Sequence, residues 1–276
     1  MPALRIPEGC DHIQIVSDMD AVTFHSDKRW SAQPFMLTDA TREWPAMKMW
    51  DEAFFIKRFG ELELVGTRVV NGVKERRPFG LQDYFTYMVE HKDDIPYYLV
   101  NLQFHLGSDL MAHYMAPACF QCWYNSIPAN RRKHSLSWLF IGAAGSFSGL
   151  HTDVWNTSAW NAVVTGKKLW LFYPPEQGEL LYQGEVNPFD PDLMEFPDFA
   201  KASPLVCIQH PGQMVFTPSN WWHAVYNLEP GISVTENFIN RSNSQFVLNF
   251  FREKGGKNYD VMKEIVDKNI LTSIEK

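Results

Sequence analysis

Between Ser135 and Phe238 the chain is a succession of short apolar runs separated by turn residues. This pattern limits the fold more than any other feature of the sequence. Leu136, Trp138 and Phe140 alternate with Ser135, Ser137 and Leu139, so 135–141 is expected to be a strand with one strongly apolar face. Further strands are expected near 157–165, 168–173, 205–208, 213–217, 223–227 and 231–238. Upstream, 34–37, 61–70 and 96–100 read the same way, and Asn71-Gly72 is a strong hairpin turn into 73–77. Helices frame the strands. Met47, Trp50 and Phe54 follow Trp44-Pro45-Ala46 at helical spacing and stop at Gly60, while Leu81, Tyr84, Phe85 and Met88 mark a second helix. From Asn243 on the chain reads as helical, with Val261, Met262, Ile265 and Val266 as the stripe of a terminal helix. The expected fold is mainly β with helical flanks, a double-sheet barrel of jelly-roll type.

No linker marks a boundary, so 1–276 is expected to be one domain. Residues 1–33 would wrap the surface, 34–240 would form the core and 241–276 a helical segment able to pair with a second chain as a homodimer. Two stretches resist assignment. Residues 104–134 hold Pro117 and Pro128 and suit a pocket rim; 176–204 is a proline-containing insert expected to act as a lid or to cover a sheet edge. Substrate specificity is expected to lie in these two stretches.

The net charge of -7 argues against broad nucleic-acid binding. The short basic stretches Arg131-Arg132-Lys133-His134 and Lys74-Glu75-Arg76-Arg77 are expected to be solvated loops. No apolar run has the length of a secretory signal or a membrane span. Four irregularly spaced cysteines fit a reducing, cytoplasmic setting, and Cys119-x-x-Cys122 is half a zinc site at most.

The chemistry concentrates in Gly145–Pro175 and one later stretch. His-x-Asp on a strand places both side chains on one face. The spacing occurs three times, at His25/Asp27, His91/Asp93 and His151/Asp153. The first two sit among charges and read as surface. The third follows Gly142, Gly145 and Gly149 and precedes an apolar strand, where a loop can deliver side chains into a barrel mouth. His223, after Trp221-Trp222, would be a third ligand; taken alone it reads first as a core histidine bonded to backbone. Two imidazoles and one carboxylate leave open coordination positions, the pattern of non-haem Fe(II) oxygen chemistry. Lys168 shares a strand face with Trp170 and Phe172. Buried there it needs an anion, because an unpaired buried charge is costly; beside Lys167, it could also be an exposed strand start. A cosubstrate such as 2-oxoglutarate fits, its keto acid toward the metal and its far carboxylate toward Lys168.

These pieces resemble the JmjC-type Fe(II)/2-oxoglutarate oxygenases of the cupin superfamily, and most of all the JMJD6-like lysyl hydroxylases. The matching stretches include Gly149-Leu150-His151-Thr152-Asp153, Gly166-Lys167-Lys168-Leu169-Trp170, Pro211-Gly212-Gln213, Trp221-Trp222-His223 and Thr235-Glu236-Asn237-Phe238. The resemblance runs from about Trp138 to Asn240 and more faintly back to Pro34. It implies iron ligation by His151, Asp153 and His223, with no catalytic residue beyond these ligands, and 2-oxoglutarate binding by Lys168. It implies that Tyr98, Asn161 and Thr235 line the cosubstrate pocket, with Asn237 beside them. Ser148 stands where close relatives carry threonine, keeping the hydroxyl. The basic nuclear-type segments and polyserine tail of that branch are not seen, which counts against nuclear splicing-factor substrates.

The implied cofactors are Fe(II), 2-oxoglutarate and O2, and the implied activity is a dioxygenase that hydroxylates a protein or peptide side chain, lysine among the candidates. The same chemistry on a free amino acid, a natural-product intermediate or a tRNA base is the alternative, as is N-methyl demethylation. A non-catalytic cupin that binds a ligand is the alternative from another class.

Overall fold

The computed structural model describes Leu4, residues 9–70 and residues 72–274. Among them the strands are β1 (Gln14–Val16), β2 (Phe35–Leu37), β3 (Glu63–Val70), β4 (Val73–Gly80), β5 (Tyr98–Leu102), β6 (Ser137–Gly142), β7 (Phe147–His151), β8 (Ser158–Thr165), β9 (Lys168–Tyr173), β10 (Leu205–Gln209), β11 (Met214–Thr217), β12 (Trp222–Asn227) and β13 (Gly231–Phe238). Nine form one sheet in the order β1-β2-β11-β8-β13-β6-β5-β3-β4, and four form a second, β10-β9-β12-β7. The two sheets are those of a jelly roll, with Met36 and Val215 of the first meeting Trp170, Phe172, Cys207 and Val225 of the second. Only β1 with β2 pairs in parallel; the other strand pairs are antiparallel.

The small sheet is apolar on both faces because both are covered. Every residue of β9 is buried. Lys168, Trp170 and Phe172 share one face by the period of two. Leu169, Leu171 and Tyr173 point the other way, into a cluster with Leu181, Val186, Phe189 and Phe199. The 176–204 insert thus seals the outer face of the small sheet with 3-10 turns at Pro175–Gly184 and Pro197–Lys201. It is not a lid, as none of its residues lines the central cavity. The expectation for β6 also changes. Leu139 and Ile141 are fully buried in the main core, whereas Trp138 and Phe140 are half-buried and line the cavity.

The main core lies between the large sheet and helices α1 (Ala21–Ser26), α2 (Lys28–Ala32), α3 (Ala46–Met49), α4 (Glu52–Phe59) and α5 (Leu81–Glu90). The described part of the 1–33 stretch does more than wrap the surface, since β1 extends the sheet and Phe24 is fully buried. The helix expected through Trp50 is two helices. The Asp51 carboxylate caps α4 by accepting from Phe54 N at 2.7 Å, a local bond that competes with continuing α3. The freed Trp50 indole donates to His113 Nδ1 at 2.9 Å. β3 and β4 pair as a hairpin, with Val70 opposite Val73; Asn71 lies outside the described residues. Lys74–Arg77 is edge strand rather than loop, and its charges discourage edge-to-edge pairing. At the C-terminus α6 (Ser244–Lys254) and α7 (Lys257–Ile274) bury Val247, Leu248, Phe251, Met262, Ile265 and Val266 together. Val261 was expected in that stripe but is 51% exposed, one position round the helix from it.

Candidate metal centre

His151 and His223 face each other across the β7/β12 ladder as register partners. Their rings lie 4.2 Å apart, centroid to centroid. A bulge in β7 makes this possible. His223 opposes His151 and Val225 opposes Ser148, so two steps along β12 match three along β7. Without the extra residue Ser148 and His151 would face opposite sides; with it both line the cavity. Each imidazole is oriented through Nδ1, His151 toward Gly149 O at 2.8 Å and His223 toward Trp221 O at 3.2 Å. A carbonyl only accepts, so Nδ1 carries a proton, and Nε2 offers a lone pair whenever the ring is neutral.

Asp153 follows the strand. Ligand atoms of His151, Asp153 and His223 all lie within 4.8 Å of one another, and no other such cluster occurs among the described residues. Asp153 Oδ2 is buried with no hydrogen-bond partner. Burial pushes this carboxyl above its usual range, against the opposing pull of His151 and a hydrogen bond from Asn237. Burial, and then the charge of His151, holds His223 well below the ordinary imidazole range, while the Trp221 carbonyl opposes the shift. A neutral imidazole and an orphaned carboxylate oxygen are what a divalent cation would satisfy. The backbone around the ligands is strained. Trp155 and Asn156, just after Asp153, and Asn220, just before the Trp221-Trp222-His223 run, adopt left-handed conformations without being glycine.

The cavity has a volume of about 510 Å3, and Lys168 lies in its wall. Lys168 pairs with Asn227, four residues and about 13 Å along β12 from His223. The lysine is 5% exposed and donates to Tyr98 Oη and Asn227 Oδ1, both at 2.9 Å. Among the described residues no carboxylate forms an ion pair with it. An ammonium has three protons, so one remains for an anion. Close by, Asn161 Nδ2 donates to Thr235 Oγ1 at 2.6 Å, and Asn161 Oδ1 is buried without a partner. The residues therefore fit both a divalent metal and a small anionic ligand in one cavity.

Every expected site residue lines this cavity: His151, Asp153, His223, Lys168, Ser148, Tyr98, Asn161, Thr235 and Asn237. Asn237 serves the metal end, since its amide donates to Thr157 Oγ1 at 2.8 Å and it pulls the Asp153 carboxyl downward against burial. Asn227, in the matching stretch Asn227-Leu228, and Gly142, one of the glycines before the His151/Asp153 pair, were given no site role. Asn227 sits four strand residues from His223 and acts only through its register with Lys168. A Cβ on Gly142 would lie 2.4 Å from Asn227 Nδ2 and 2.7 Å from Tyr98 Cε2. The tryptophans near the ligands are engaged in packing, although Trp160 also borders the cavity. Trp155 packs on Tyr124 and Phe251, and Trp160 on Trp44 and Tyr114 in the main core. Trp221 donates to Ala32 O, and Trp222 crosses Gly178 and Gly184. Trp138 and Trp170 line the cavity as well. Cys119 and Cys122 are free thiols away from any metal-ligand cluster among the described residues.

Comparison with known proteins agrees with the geometry. The profile of the cupin-like domain matches residues 21–244. The chain is 31% identical over 264 residues to "Arginine-specific demethylase JMJ22" of Arabidopsis thaliana, covering 90% of this chain and 50% of that protein. It is 26% identical over 268 residues to "Bifunctional arginine demethylase and lysyl-hydroxylase psr-1" of Caenorhabditis elegans, covering 89% and 66%. It is 32% identical over 158 residues to "2-oxoglutarate and iron-dependent oxygenase JMJD4" of Mus musculus, covering 54% and 37%. The chain thus spans only part of the length of each of these relatives.

Proposed function

The chain belongs to the cupin-like domain family, in its JmjC branch, and from that premise we propose that it is an Fe(II)- and 2-oxoglutarate-dependent dioxygenase. Its reaction in this reading is hydroxylation of a C–H bond in a protein or peptide side chain, with succinate and CO2 as coproducts. The observation that carries the reading is the pairing of two features in one cavity: a convergent His-Asp-His trio and a buried lysine without an acidic partner.

Ferrous iron, bound with 2-oxoglutarate and O2, supplies the oxidative decarboxylation and the oxidant for the C–H bond. The chain's own residues hold and shield. His151 and His223 present Nε2, fixed by the Gly149 and Trp221 carbonyls. Asp153 adds the negative charge, steadied by Asn237. Lys168, aimed by Tyr98 and Asn227, grips the far carboxylate of the diacid, with Asn161 and Thr235 beside it. Ser148 adds a hydroxyl to the wall between the two ends. Val100, Trp138 and Phe140 form an apolar wall that excludes water where a substrate side chain would enter.

Lysine is the first substrate residue to try, because the relative psr-1 is named a lysyl-hydroxylase. Arginine demethylation is the second reading, motivated by the names of the plant and nematode relatives. The test is succinate formation from 2-oxoglutarate with Fe(II) and O2, in wild type and His151→Ala. Turnover only in wild type supports the reading; equal turnover ends it. Formaldehyde release from methylated peptides separates demethylation from stable hydroxylation. We also propose a homodimer through α7, where Val261, Ile270 and Leu271 stand exposed, and a cytoplasmic setting in keeping with four free cysteines.

A further inference from the structure

A groove that the chemistry above does not use leads away from the metal cavity. A space of about 450 Å3 has Asn125, Arg132, Lys133 and His134 on its wall and Glu236 among its lining. A second space of about 370 Å3 shares Lys133, His134, Ser135 and Leu136 with the first and is bounded by Trp138 and Val154. Trp138 and Val154 also line the metal cavity. Asn237 lines both the first space and the metal cavity, so the three spaces adjoin one another.

The groove differs in charge from the molecule that carries it. The chain has a net charge of -7, yet Arg132 and Lys133 line the groove and Arg131 precedes them in the chain. Among the described residues none of the three is in an ion pair. Arg132 donates to Asn125 Oδ1 through Nη1, but its Nε is buried with no acceptor. Such an orphan N–H in a guanidinium fork matches a carboxylate. Glu236 does not supply it. Its carboxylate accepts from Tyr114 Oη at 3.0 Å and lies against Ser137, and burial holds the carboxyl above its usual range despite Arg132.

We propose that this groove binds an acidic peptide segment of the substrate. Carboxylates flanking the reacting residue meet Arg132 and Lys133, and the reacting side chain passes Trp138 and Val154 into the metal cavity. The proposal names the substrate class for the oxygenase reading and rests on it for the role of that cavity. A nucleic-acid strand is the other polyanion to consider. Peptide is favoured because the Trp155 ring is engaged by Tyr124, His134 and Phe251 and offers no free stacking platform. Three basic residues on an acidic molecule are also few for tracking a phosphate backbone.

The test is fluorescence anisotropy of fluorescein-labelled hexaglutamate with metal-free protein at low salt. A peptide of this charge is repelled by the molecule as a whole, so binding needs a local basic site. Wild type should bind it, more weakly as salt rises, and R132Q/K133Q should bind roughly tenfold or more weakly. Lys133 is exposed, so K133E repeats the loss should the double variant fail to fold. His151→Ala should bind like wild type, which keeps the groove testable even if the oxygenase reading fails. No binding by wild type, unchanged binding by R132Q/K133Q and K133E, or displacement by oligothymidylate at lower concentrations than by unlabelled hexaglutamate would each overturn the proposal.

Discussion

Just after α5, His91 and Asp93 carry the same spacing as His151 and Asp153, and both carboxylate oxygens of Asp93 are taken. One accepts from Tyr87 Oη at 2.7 Å, and the other meets Arg68 Nη1 at 3.2 Å. At the metal centre Asp153 Oδ2 has no partner, and His223 stands across the ladder from His151. The His-x-Asp spacing is identical in the two places, so it cannot be what makes a site. The distinction comes from what a distant strand brings opposite the pair. β12 presents a third ligand to one pair, whereas α5 and β3 present a phenol and a guanidinium to the other. The first set is short of a cation, and the second already contains one.

The comparison breaks most easily at the ligands. His151→Ala or Asp153→Ala should weaken Mn(II) binding by at least about 100-fold, or about 2.7 kcal/mol, in calorimetric titration. His91→Ala should leave it unchanged. Equal losses in both places would mean that the pairs do not differ as described. Next in size is Lys168→Ala. It should cost about 2–3 kcal/mol of 2-oxoglutarate affinity, since it removes a buried charge-assisted contact, while Mn(II) affinity holds. Gly142→Ala should follow, with a loss of about 1–3 kcal/mol of stability in denaturant melts from crowding Asn227 and Tyr98. Its 2-oxoglutarate affinity should fall with little change at the metal end.

The smallest effect belongs to the structural pair. Asp93→Asn should cost about 1 kcal/mol, because the carboxylate is about a third exposed and its contacts are screened. The Tyr87 hydroxyl, and then Arg68, hold the Asp93 carboxyl below its usual range against desolvation. The folded value therefore lies below the unfolded one of about 3.9, so the stabilisation is present above that pH. It is lost as pH falls through the lower folded value. Urea melts of wild type and Asp93→Asn should thus differ at neutral pH and converge in acid. A difference that persists undiminished in acid would remove the charge from the explanation.

The parts of the fold legible in the sequence are those with a regular period. β8, β9, β13 and α5 stand close to where alternation and helical spacing put them. β7 was not foreseen as a strand, because Phe147-Ser148-Gly149-Leu150-His151 is short and carries a bulge that breaks the period of two. β6 was read as having one strongly apolar face, that of Trp138 and Phe140, yet these face the cavity while Leu139 and Ile141 on the other side fill the core. A strand covered on both faces gives no alternation by which to tell them apart. The 176–204 insert read as a lid or an edge cover because its prolines and polar residues hide the few side chains, Leu181, Val186, Phe189 and Phe199, that fasten it to the outer face of the small sheet. Residue types at the site were legible, with His151, Asp153, Lys168 and His223 all in the cavity. What supports them, Asn227 behind Lys168 and Gly142 beside it, depends on strand register, which is a tertiary property.

The central claim is that a metal and a diacid share one cavity, with the trio at one end and Lys168 at the other. The direct test is 2-oxoglutarate affinity measured by anaerobic calorimetry with and without saturating Mn(II), in wild type and in Lys168→Ala. Wild type should bind the diacid more tightly when the metal is present, and Lys168→Ala should lose most of that binding in both conditions. Binding that ignores the metal, or that survives without the lysine, would contradict the account.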